Sequence, residues 1–248
     1  MSTALEGRVA IVTGATSGIG WATAAAFAEH GGMVTVTGRR EERLLSLANH
    51  IGPDRALAAH GDIARRGDVE AVVDQTVERF GRVDVLVNNA GVMLLSPASQ
   101  RLVDEWDRMI DVNVKGLLYG VAAVLPQMKS QGSGHIVNVG SVAGRRPFPT
   151  GTIYSATKFA VRAISEGLRN ELSPTEGIRV TDIEPGVVDT ELLDHISDQG
   201  AVAAFAERWG QKVKLRPEDV ANAIVYAVSQ PPHVNVNEIL VRPTEQEN

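Results

Sequence analysis

Seven short runs of apolar and β-branched residues recur along the 248-residue chain, with longer helical patterns between them. Several runs are continuously apolar, as strands are when helices cover both faces of a parallel sheet. This alternation predicts an α/β fold: a doubly wound, mostly parallel sheet of about seven strands, with helices on both faces and right-handed crossovers, in a single domain. The predicted strands are Val9–Thr13, Val34–Thr37, Ala56–Ala59, Val83–Val87, His135–Val139, Ile178–Ile183 and Glu238–Val241.

Helical patterns occupy the stretches between these strands, and some carry clear boundary signals. Gly31 and Gly32 end the first helix, and Pro217 begins the last one, where the missing N–H of proline costs little. The predicted helices are Trp21–His30, Glu41–Ile51, Gly67–Phe80, Val103–Met128, Gly151–Leu172 and Pro217–Ser229.

Residues 190–215 form the longest stretch without a clear strand. The pattern of this stretch is weakly amphipathic and is broken at Gly200. A long irregular segment inside a compact domain is often a lid over a binding site. We therefore predict a substrate lid over residues 190–215.

Composition excludes several classes of function. The formal net charge is −6, which gives no electrostatic footprint for nucleic acid or for an anionic membrane. No apolar run reaches the roughly 18 residues that span a bilayer, and the N-terminus shows no pattern of a secretion signal. The chain has no cysteine, which excludes disulfides and thiolate metal sites. We expect a cytoplasmic protein that binds no nucleic acid, membrane or metal.

The stretch TGATSGIG, residues 13–20, follows the first predicted strand and leads into a helix. Gly14, Gly18 and Gly20 permit a tight turn, and the helix after them offers free N–H groups and the positive end of its dipole to a pyrophosphate. An ordinary tight turn is the alternative interpretation. After the first strand of a long βαβ series, the pattern favours a dinucleotide site.

The second predicted strand ends in TGRR, residues 37–40. Sites that prefer NAD usually place an acidic residue here to bond the ribose hydroxyls, whereas this chain has Gly38 followed by Arg39 and Arg40. A guanidinium binds a 2′-phosphate bidentately. We therefore predict NADP(H) in preference to NAD(H). The alternative is a solvated basic start to the next helix.

Tyr154 and Lys158 lie four residues apart, about one helical turn, so their side chains share a helix face. They form either a surface pair or a proton-transfer pair. Ser141 follows a predicted strand thirteen positions before Tyr154, and Asn113 lies within the long helix predicted upstream. A positioned tyrosine would supply the proton that hydride addition to a carbonyl requires.

Five motifs occur in one order along the chain: TGxxxGxG, NNAG at 88–91, the helical Asn113, S-x12-Y-x3-K from Ser141, and PG-x3-T from Pro185. In these motifs the sequence resembles the short, single-domain branch of the short-chain dehydrogenase/reductase family. The resemblance implies a Rossmann-type fold and an NADP(H)-dependent oxidoreductase. Its substrates would be small ketones, aldehydes or alcohols, because three residues between tyrosine and lysine resemble the carbonyl/alcohol form of the family.

The resemblance also implies a role for each matched residue. Tyr154 is the general acid in reduction and the base in oxidation, and Lys158 is charged, lowers the tyrosine pKa and bonds the nicotinamide ribose. Ser141 holds the substrate carbonyl oxygen. Asn113 anchors a water that links Lys158 to solvent, or else is a buried polar residue that satisfies helix backbone. The implied cofactor-binding residues are Gly14, Thr16, Ser17, Gly18, Ile19, Gly20, Arg39, Arg40, Asp62, Ile63, Asn89, Ala90, Gly91, Tyr154, Lys158, Pro185, Gly186, Val188 and Thr190.

The expected substrate pocket is mostly apolar, which favours a medium-sized apolar ketone or aldehyde. Arg145 and Arg146 could contact a substrate carboxylate or remain solvated. Relatives commonly assemble through the helices that here carry Asn113 and Tyr154, so we expect a homo-oligomer, a tetramer rather than a dimer. The pocket is expected to be lined by Met93–Ser96, Val142–Phe148, Val187 and the lid.

Two other functions stay open at this point. One is a non-catalytic protein that senses NADP(H) on the same fold, and the other is a different Rossmann-like enzyme such as a methyltransferase. The intact Ser–Tyr–Lys set favours the oxidoreductase over both.

Overall fold

Residues 4–246, the part of the chain that the computed structural model describes, contain seven parallel strands. They are β1 (Val9–Thr13), β2 (Met33–Gly38), β3 (Ala56–His60), β4 (Val85–Asn88), β5 (Gly134–Val139), β6 (Ile178–Pro185) and β7 (Glu238–Val241). Their spatial order is β3-β2-β1-β4-β5-β6-β7. The order reverses beside β1, which pairs with both β2 and β4. Doubly wound sheets bind ligands in the crevice at such a reversal.

Helices connect the strands and cover both faces of the sheet. The α-helices are α1 (Gly18–Glu29), α2 (Glu41–Ile51), α3 (Arg66–Phe80), α4 (Val103–Ile110), α5 (Leu117–Gln131), α6 (Thr152–Glu176), α7 (Gln199–Trp209) and α8 (Pro217–Ser229). A π-helical segment, Asp111–Gly116, joins α4 to α5 in one continuous helix. Short 3₁₀ turns lie at Ala98–Gln100, Val142–Gly144 and Glu191–His195.

The sheet is buried on both faces, which explains its continuously apolar strands. On one face Val12, Val36 and Ile183 pack with α1, α2 and α8, and on the other Ile11 and Val180 pack with α3, α5 and α6. Alternate residues of one strand thus enter opposite cores. The arrangement confirms the predicted fold class, a doubly wound parallel sheet in a Rossmann-like domain.

The segment over residues 190–215 is more regular than its sequence pattern predicts. Helix α7 begins at Gln199, and the Asp198 carboxylate caps it by accepting a hydrogen bond from Ala201 N at 2.6 Å. Gly200 therefore lies in the first helical turn, where N–H groups have no partner within the helix and a glycine interrupts nothing. The predicted break at Gly200 is wrong.

Two hydrogen bonds close the base of the same segment. Asp189 N donates to Leu215 O at 2.8 Å, and Leu215 N donates to Val187 O at 2.9 Å. The chain between residues 189 and 215 therefore begins and ends at the same place on the domain. Its action as a substrate lid stays a prediction.

The continuous helix Val103–Gln131 is the one stretch of residues 4–246 that is long and apolar enough to cross a membrane by length and composition alone, with a mean hydropathy of 1.3 in its best window. Its inner side packs into the core through Leu117, Val121 and Val124. Core helices of soluble proteins pass the same test. The helix is therefore only weak support for a membrane span.

Alanine substitutions at two glycines should change the stability of this fold in opposite directions. A Cβ on Gly20 would collide with the carbonyl oxygen of Gly14, whereas a Cβ on Gly167 in α6 would meet nothing within 4 Å. We expect Gly20→Ala to lower the free energy of unfolding by about 1–3 kcal/mol. Gly167→Ala should raise it by about 0.5–1 kcal/mol, because alanine loses less backbone entropy in a helix. Urea unfolding measures both, and a fully stable Gly20→Ala variant would contradict the contact.

Candidate active site

One cavity of about 1020 Å³ lies at the carboxyl ends of the strands, where Thr13, Gly38, Val139 and Pro185 line it. It brings together nearly all residues that the sequence assigns to cofactor and catalysis. Gly20 and Asn113 lie outside its lining. The assigned residues that line it are Gly14, Thr16, Ser17, Gly18, Ile19, Arg39, Arg40, Asp62, Ile63, Asn89, Ala90, Gly91, Ser141, Tyr154, Lys158, Pro185, Gly186, Val188 and Thr190.

The glycine turn after β1 has the shape of a phosphate cradle. Gly14 and Gly18 have φ angles of 65° and 54°, in the left-handed region that favours glycine. A Cβ on Gly14 would lie 2.8 Å from Ala90 Cα. Ser17 precedes α1, and its side chain makes no cap hydrogen bond to that helix. The open N-terminus of α1 and the missing side chains fit a pyrophosphate.

Thr13 and Asn89 fasten this turn to the loop after β4. Thr13 Oγ1 accepts hydrogen bonds from Asn89 N and Ala90 N, both at 3.0 Å. Asn89 Nδ2 in turn donates to Thr13 O at 2.8 Å and to Gly14 O at 3.2 Å. The side chain of Asn89 therefore shapes the cofactor cradle, in addition to lining the cavity as the sequence implied.

Ser141, Tyr154 and Lys158 meet on one wall of the cavity. Ser141 follows β5, and its Oγ accepts a hydrogen bond from Ala143 N at 3.0 Å. Tyr154 and Lys158 lie at the start of α6 and are each 7% exposed. The Tyr154 hydroxyl is hydrogen-bonded with Ser141, and Lys158 Nζ lies 5.8 Å from the centre of the tyrosine ring. Because both side chains are buried, they are not a solvated surface pair.

Burial sets the proton affinity of both side chains. It raises the pKa of Tyr154 to about 12, although the hydrogen bond with Ser141 acts to lower it. It lowers the pKa of Lys158 to about 8, against the charge of Asp182, which acts to raise it. Among the protein groups alone the tyrosine pKa is raised, because desolvation of the phenolate dominates, and the lowering by Lys158 stays a prediction. A pKa near 12 means that Tyr154 keeps its proton at neutral pH.

Asn113 lies in the π-helical segment and ties three elements together. Its Oδ1 accepts from Val92 N at 2.8 Å, while its Nδ2 donates to Val92 O at 2.9 Å and to Thr157 Oγ1 at 3.1 Å. The backbone that it satisfies belongs to the loop after β4, not to its own helix. A small cavity of about 10 Å³ lies between Asn113 and Lys158, close to the least space that one water requires.

Buried carboxylates that the sequence patterns did not single out lie on β6 beneath α6. Asp182 and Glu184 are both fully buried. Burial raises the pKa of Asp182 to about 7, with a further rise from Glu184 and an opposing effect of Lys158. The sequence signal was faint: two acidic residues alternate with apolar ones in a stretch that otherwise looks like a buried strand.

Arg145 forms ion pairs with Glu184 and with Glu238 of β7, and Arg162 lies 3.5 Å from Glu184. Arg145 is thus committed to carboxylates of the protein itself. We no longer expect it to bind a substrate carboxylate, and it is not a solvated side chain either. Sequence patterns could not show this, because the partners lie on strands far along the chain.

Arg40 folds back over the glycine turn. Its Nε and Nη2 donate to Thr16 Oγ1 at 3.1 Å and 2.8 Å, and Nη2 also reaches Ser17 Oγ at 2.9 Å. Its Nη1 donates to Glu191 Oε2 at 2.7 Å. Arg40 is therefore tied to the turn and to Glu191, although its side chain stays 43% exposed. Arg39 makes none of these hydrogen bonds, although it also lines the cavity.

The remaining walls of the cavity agree in most positions with the predicted pocket. Met93 and Leu95 line it, whereas Leu94 and Ser96 are buried elsewhere. Residues 190–215 contribute apolar and polar side chains in similar number: Leu192, Leu193, Ala204, Phe205 and Trp209 are apolar, and Thr190, Glu191, His195 and Arg208 are polar. Over residues 4–246, no group of three His, Cys, Asp or Glu side chains is placed to hold a metal ion.

Comparison with known proteins places these features in one family. Residues 8–201 match the family model of the short chain dehydrogenases. An uncharacterized oxidoreductase of Staphylococcus saprophyticus is 45% identical over 242 residues, which span 96% of this chain and 98% of that protein.

Solved structures agree with the sequence relatives. The closed form of a serine dehydrogenase complexed with NADP+ is 39% identical, with a TM-score of 0.90 over 97% of each chain. A 3-ketoacyl-(acyl-carrier-protein) reductase from Brucella melitensis, complexed with NADH, is 33% identical, with a TM-score of 0.85 over 95% of this chain and 97% of that one.

Lys158→Met tests the cost of the buried ammonium. The folded protein releases this proton near pH 8, whereas the usual lysine value is 10.5, so the unfolded chain binds more protons between these values. Lys158 therefore lowers the free energy of unfolding below pH 8 by up to about 3 kcal/mol, and this cost fades as the pH rises through the window. We expect the variant to be more stable than the wild type at pH 7 and to lose this advantage near pH 10, as measured by urea unfolding.

Lys115→Met is the control, because Lys115 is exposed and pairs with Asp111 at 2.7 Å. Its removal should bring no gain in stability at pH 7. A Lys158→Met variant whose stability relative to the wild type did not change with pH would contradict the lowered pKa.

Proposed function

Because the chain belongs to the short-chain dehydrogenase family, we propose that it transfers a hydride between NADP(H) and a carbonyl or secondary alcohol, with Tyr154 as the general acid and base. The family confirms that the protein is an oxidoreductase. The observation that carries the finer proposal is the meeting of Ser141 with the buried Tyr154 and Lys158, on the wall of the cavity that also contains the glycine turn.

The chain supplies proton transfer and charge, while the nicotinamide cofactor, when bound, supplies or accepts the hydride. Negative charge grows on the carbonyl oxygen as hydride arrives, and a positioned donor must meet it. Tyr154 holds its proton at neutral pH, since its pKa lies near 12. The Ser141 hydroxyl, hydrogen-bonded with Tyr154, orients the same oxygen. The two hydroxyls are thus the donors that the carbonyl oxygen would meet as hydride arrives.

Alcohol oxidation requires Tyr154 to act as a base at the same site. Tyr154 must then accept a proton, and lowering its pKa from about 12 to about 7 requires roughly 7 kcal/mol of preferential stabilisation of the phenolate. Lys158 supplies part of this when it is charged, which its pKa of about 8 permits at neutral pH.

Lys158 and Asn113 offer a way to replace the proton that Tyr154 gives up. Both line the small cavity of about 10 Å³. Lys158 Nζ donates to Val139 O at 2.8 Å, which fixes the ammonium beside that cavity. One water there would connect the ammonium to the helix that carries Asn113, and we assign the proton relay to this path.

NADP(H) is the proposed cofactor because Arg40 reaches the turn and the two residues directly after β2 are arginines, not a carboxylate. Thr16, Ser17 and Arg40 together form a polar rim that suits a 2′-phosphate. The solved relatives include one complex with NADP+ and one with NADH. Family membership alone therefore does not determine which of the two cofactors binds. We infer the preference from the side chains of Thr16, Ser17 and Arg40.

We propose a medium-sized ketone, aldehyde or alcohol as substrate. The support is the apolar lining contributed by Met93, Phe148, Leu192 and Phe205. One solved relative is a serine dehydrogenase, so a polar hydroxy acid belongs in any substrate panel.

We further propose a cytoplasmic homo-oligomer, with a tetramer favoured over a dimer. Leu118 of α5 and Phe159 of α6 are 41% and 42% exposed. Apolar side chains exposed on these two helices suit an interface between copies of the chain.

Tyr154→Phe tests the assigned acid. We expect NADPH oxidation with every ketone and aldehyde of the panel to fall by a factor of about 10²–10⁴, because a general acid contributes that much. NADPH binding, followed by fluorescence, should persist. Ser155→Ala is the matched control, since the neighbouring Ser155 hydroxyl is buried without a hydrogen-bond partner, and its activity should not change. Full activity in the Phe variant would refute the mechanism, and binding without any turnover in the wild type would favour a sensor.

Arg40→Gln tests the cofactor choice. We expect the Kd of NADPH to rise about tenfold or more while the Kd of NADH changes little, because charge-assisted hydrogen bonds to the 2′-phosphate are lost. Arg39→Gln should have a smaller effect, since Arg39 makes none of the hydrogen bonds by which Arg40 reaches the turn. Gly38→Asp should move the NADP/NAD ratio of kcat/KM toward NAD. An unchanged ratio in both Arg40→Gln and Gly38→Asp would contradict the assignment.

A further inference from the structure

Glu191 brings a carboxylate from the 190–215 segment onto Arg40. Arg40 Nη1 donates to Glu191 Oε2 at 2.7 Å, and Arg43 Nη2 lies 4.0 Å from Glu191 Oε1. Ser17 also makes a hydrogen bond with this carboxylate. These contacts hold the pKa of Glu191 below its usual value, with the hydrogen bond from Arg40 as the largest cause. Glu191 is therefore an anion at neutral pH.

All three nitrogens of the Arg40 guanidinium are engaged. Two of them face the hydroxyls of Thr16 and Ser17 at the glycine turn. The third, Nη1, faces Glu191. The carboxylate thus occupies the edge of the guanidinium that the turn hydroxyls leave free.

The backbone brings Glu191 to this position. It directly follows Thr190, whose Cγ2 would lie 3.0 Å from a Cβ on Gly18. The hydrogen bonds between Asp189 and Leu215 and between Leu215 and Val187 fix the chain just before that point. Thr190 Oγ1 also accepts a long hydrogen bond from Leu192 N, at 3.4 Å. The ion pair therefore joins the start of the segment to the rim of the glycine turn.

We propose that Glu191 is a specificity-determining residue for the cofactor, an inference that rests on the proposed NADP(H) preference. A phosphate and a carboxylate on one guanidinium edge repel each other at a few ångströms. A 2′-phosphate therefore binds Arg40 by displacing Glu191, whereas a cofactor without that phosphate leaves the ion pair intact. Glu191 lowers the affinity for NADP(H) below what Arg40 alone would give.

Displacement of Glu191 from Arg40 also affects the start of the 190–215 segment. Once Glu191 leaves Arg40, the 3₁₀ turn Glu191–His195 loses one attachment to the glycine turn. A cofactor with a 2′-phosphate thus loosens the first turn of the segment, and one without it does not.

Glu191→Gln removes the charge and keeps the shape. Calorimetric titration with 2′,5′-ADP and with 5′-AMP compares two ligands that differ only in the 2′-phosphate. We expect the variant to bind 2′,5′-ADP roughly threefold or more tightly than the wild type, which is the scale of an exposed ion pair, and 5′-AMP as the wild type does. Asp194→Asn is the matched control, because Asp194 lies exposed in the same short helix. It should bind both ligands as the wild type does.

A Glu191→Gln variant that binds 2′,5′-ADP no more tightly than the wild type overturns the proposal. Weaker binding would mean that the carboxylate orients Arg40 for the phosphate. Arg40→Gln in the same titration separates this failure from that of the cofactor assignment. If Arg40→Gln binds 2′,5′-ADP as the wild type does, the NADP(H) preference itself is wrong; if it binds more weakly, the preference stands and Glu191→Gln decides.

Hydrogen exchange of the wild type tests whether a 2′-phosphate loosens the 3₁₀ turn at the start of the segment. Amides of residues 191–196 should exchange faster with 2′,5′-ADP bound than with 5′-AMP bound, and in Glu191→Gln the two ligands should give equal rates. Equal rates in the wild type would overturn the coupling between phosphate and segment.

Discussion

The hydrogen bonds between Thr13 and the loop after β4 are the constraint on which the rest of the site depends. β1 and β4 are neighbours at the reversal of strand order, so their ends would otherwise diverge around an open crevice. Thr13 Oγ1 and Asn89 Nδ2 close that gap. The closure in turn leaves no space for a side chain at Gly14 or Gly20, and it sets the turn that opens toward a phosphate.

A second set of polar contacts links the sheet to α6, the helix that contains Tyr154 and Lys158. Asn88 Nδ2 donates to Asn138 Oδ1 at 2.9 Å, and Asn138 Nδ2 donates to Ser165 Oγ at 2.8 Å. These buried side chains connect β4, β5 and α6 in sequence. Because a buried polar group that loses its partner costs about 1–3 kcal/mol, the contacts resist sliding of α6 along the sheet. The phenol of Tyr154 is thereby held in relation to the glycine turn.

Local sequence was sufficient for the parts of the molecule that rest on local physics. Apolar runs predicted the strands, and the glycine turn predicted the crevice, because both depend on residues close together in the chain. The partners of Arg145 and Arg40 could not be predicted in this way. Arg40 and Glu191 lie 151 residues apart, and an ion pair between distant segments has no periodicity to detect. The π-helical segment around Asn113 could not be predicted from its own residues either. Its partner Val92 lies in the loop after β4, distant along the chain.

The hydrogen bonds that close the base of the 190–215 segment affect which sequence changes the fold can tolerate during evolution. Backbone hydrogen bonds join Val187 and Asp189 to Leu215, whose side chain belongs to the core cluster against which Val188 packs. Extra residues within a surface excursion cost little conformational entropy. Insertions, deletions or whole replacements between these anchors would leave β6, Tyr154 and the glycine turn in register. Exchange of this one piece would therefore change the wall that Leu192, Phe205 and Trp209 give the cavity, while the strands that carry the rest of the lining stay in place.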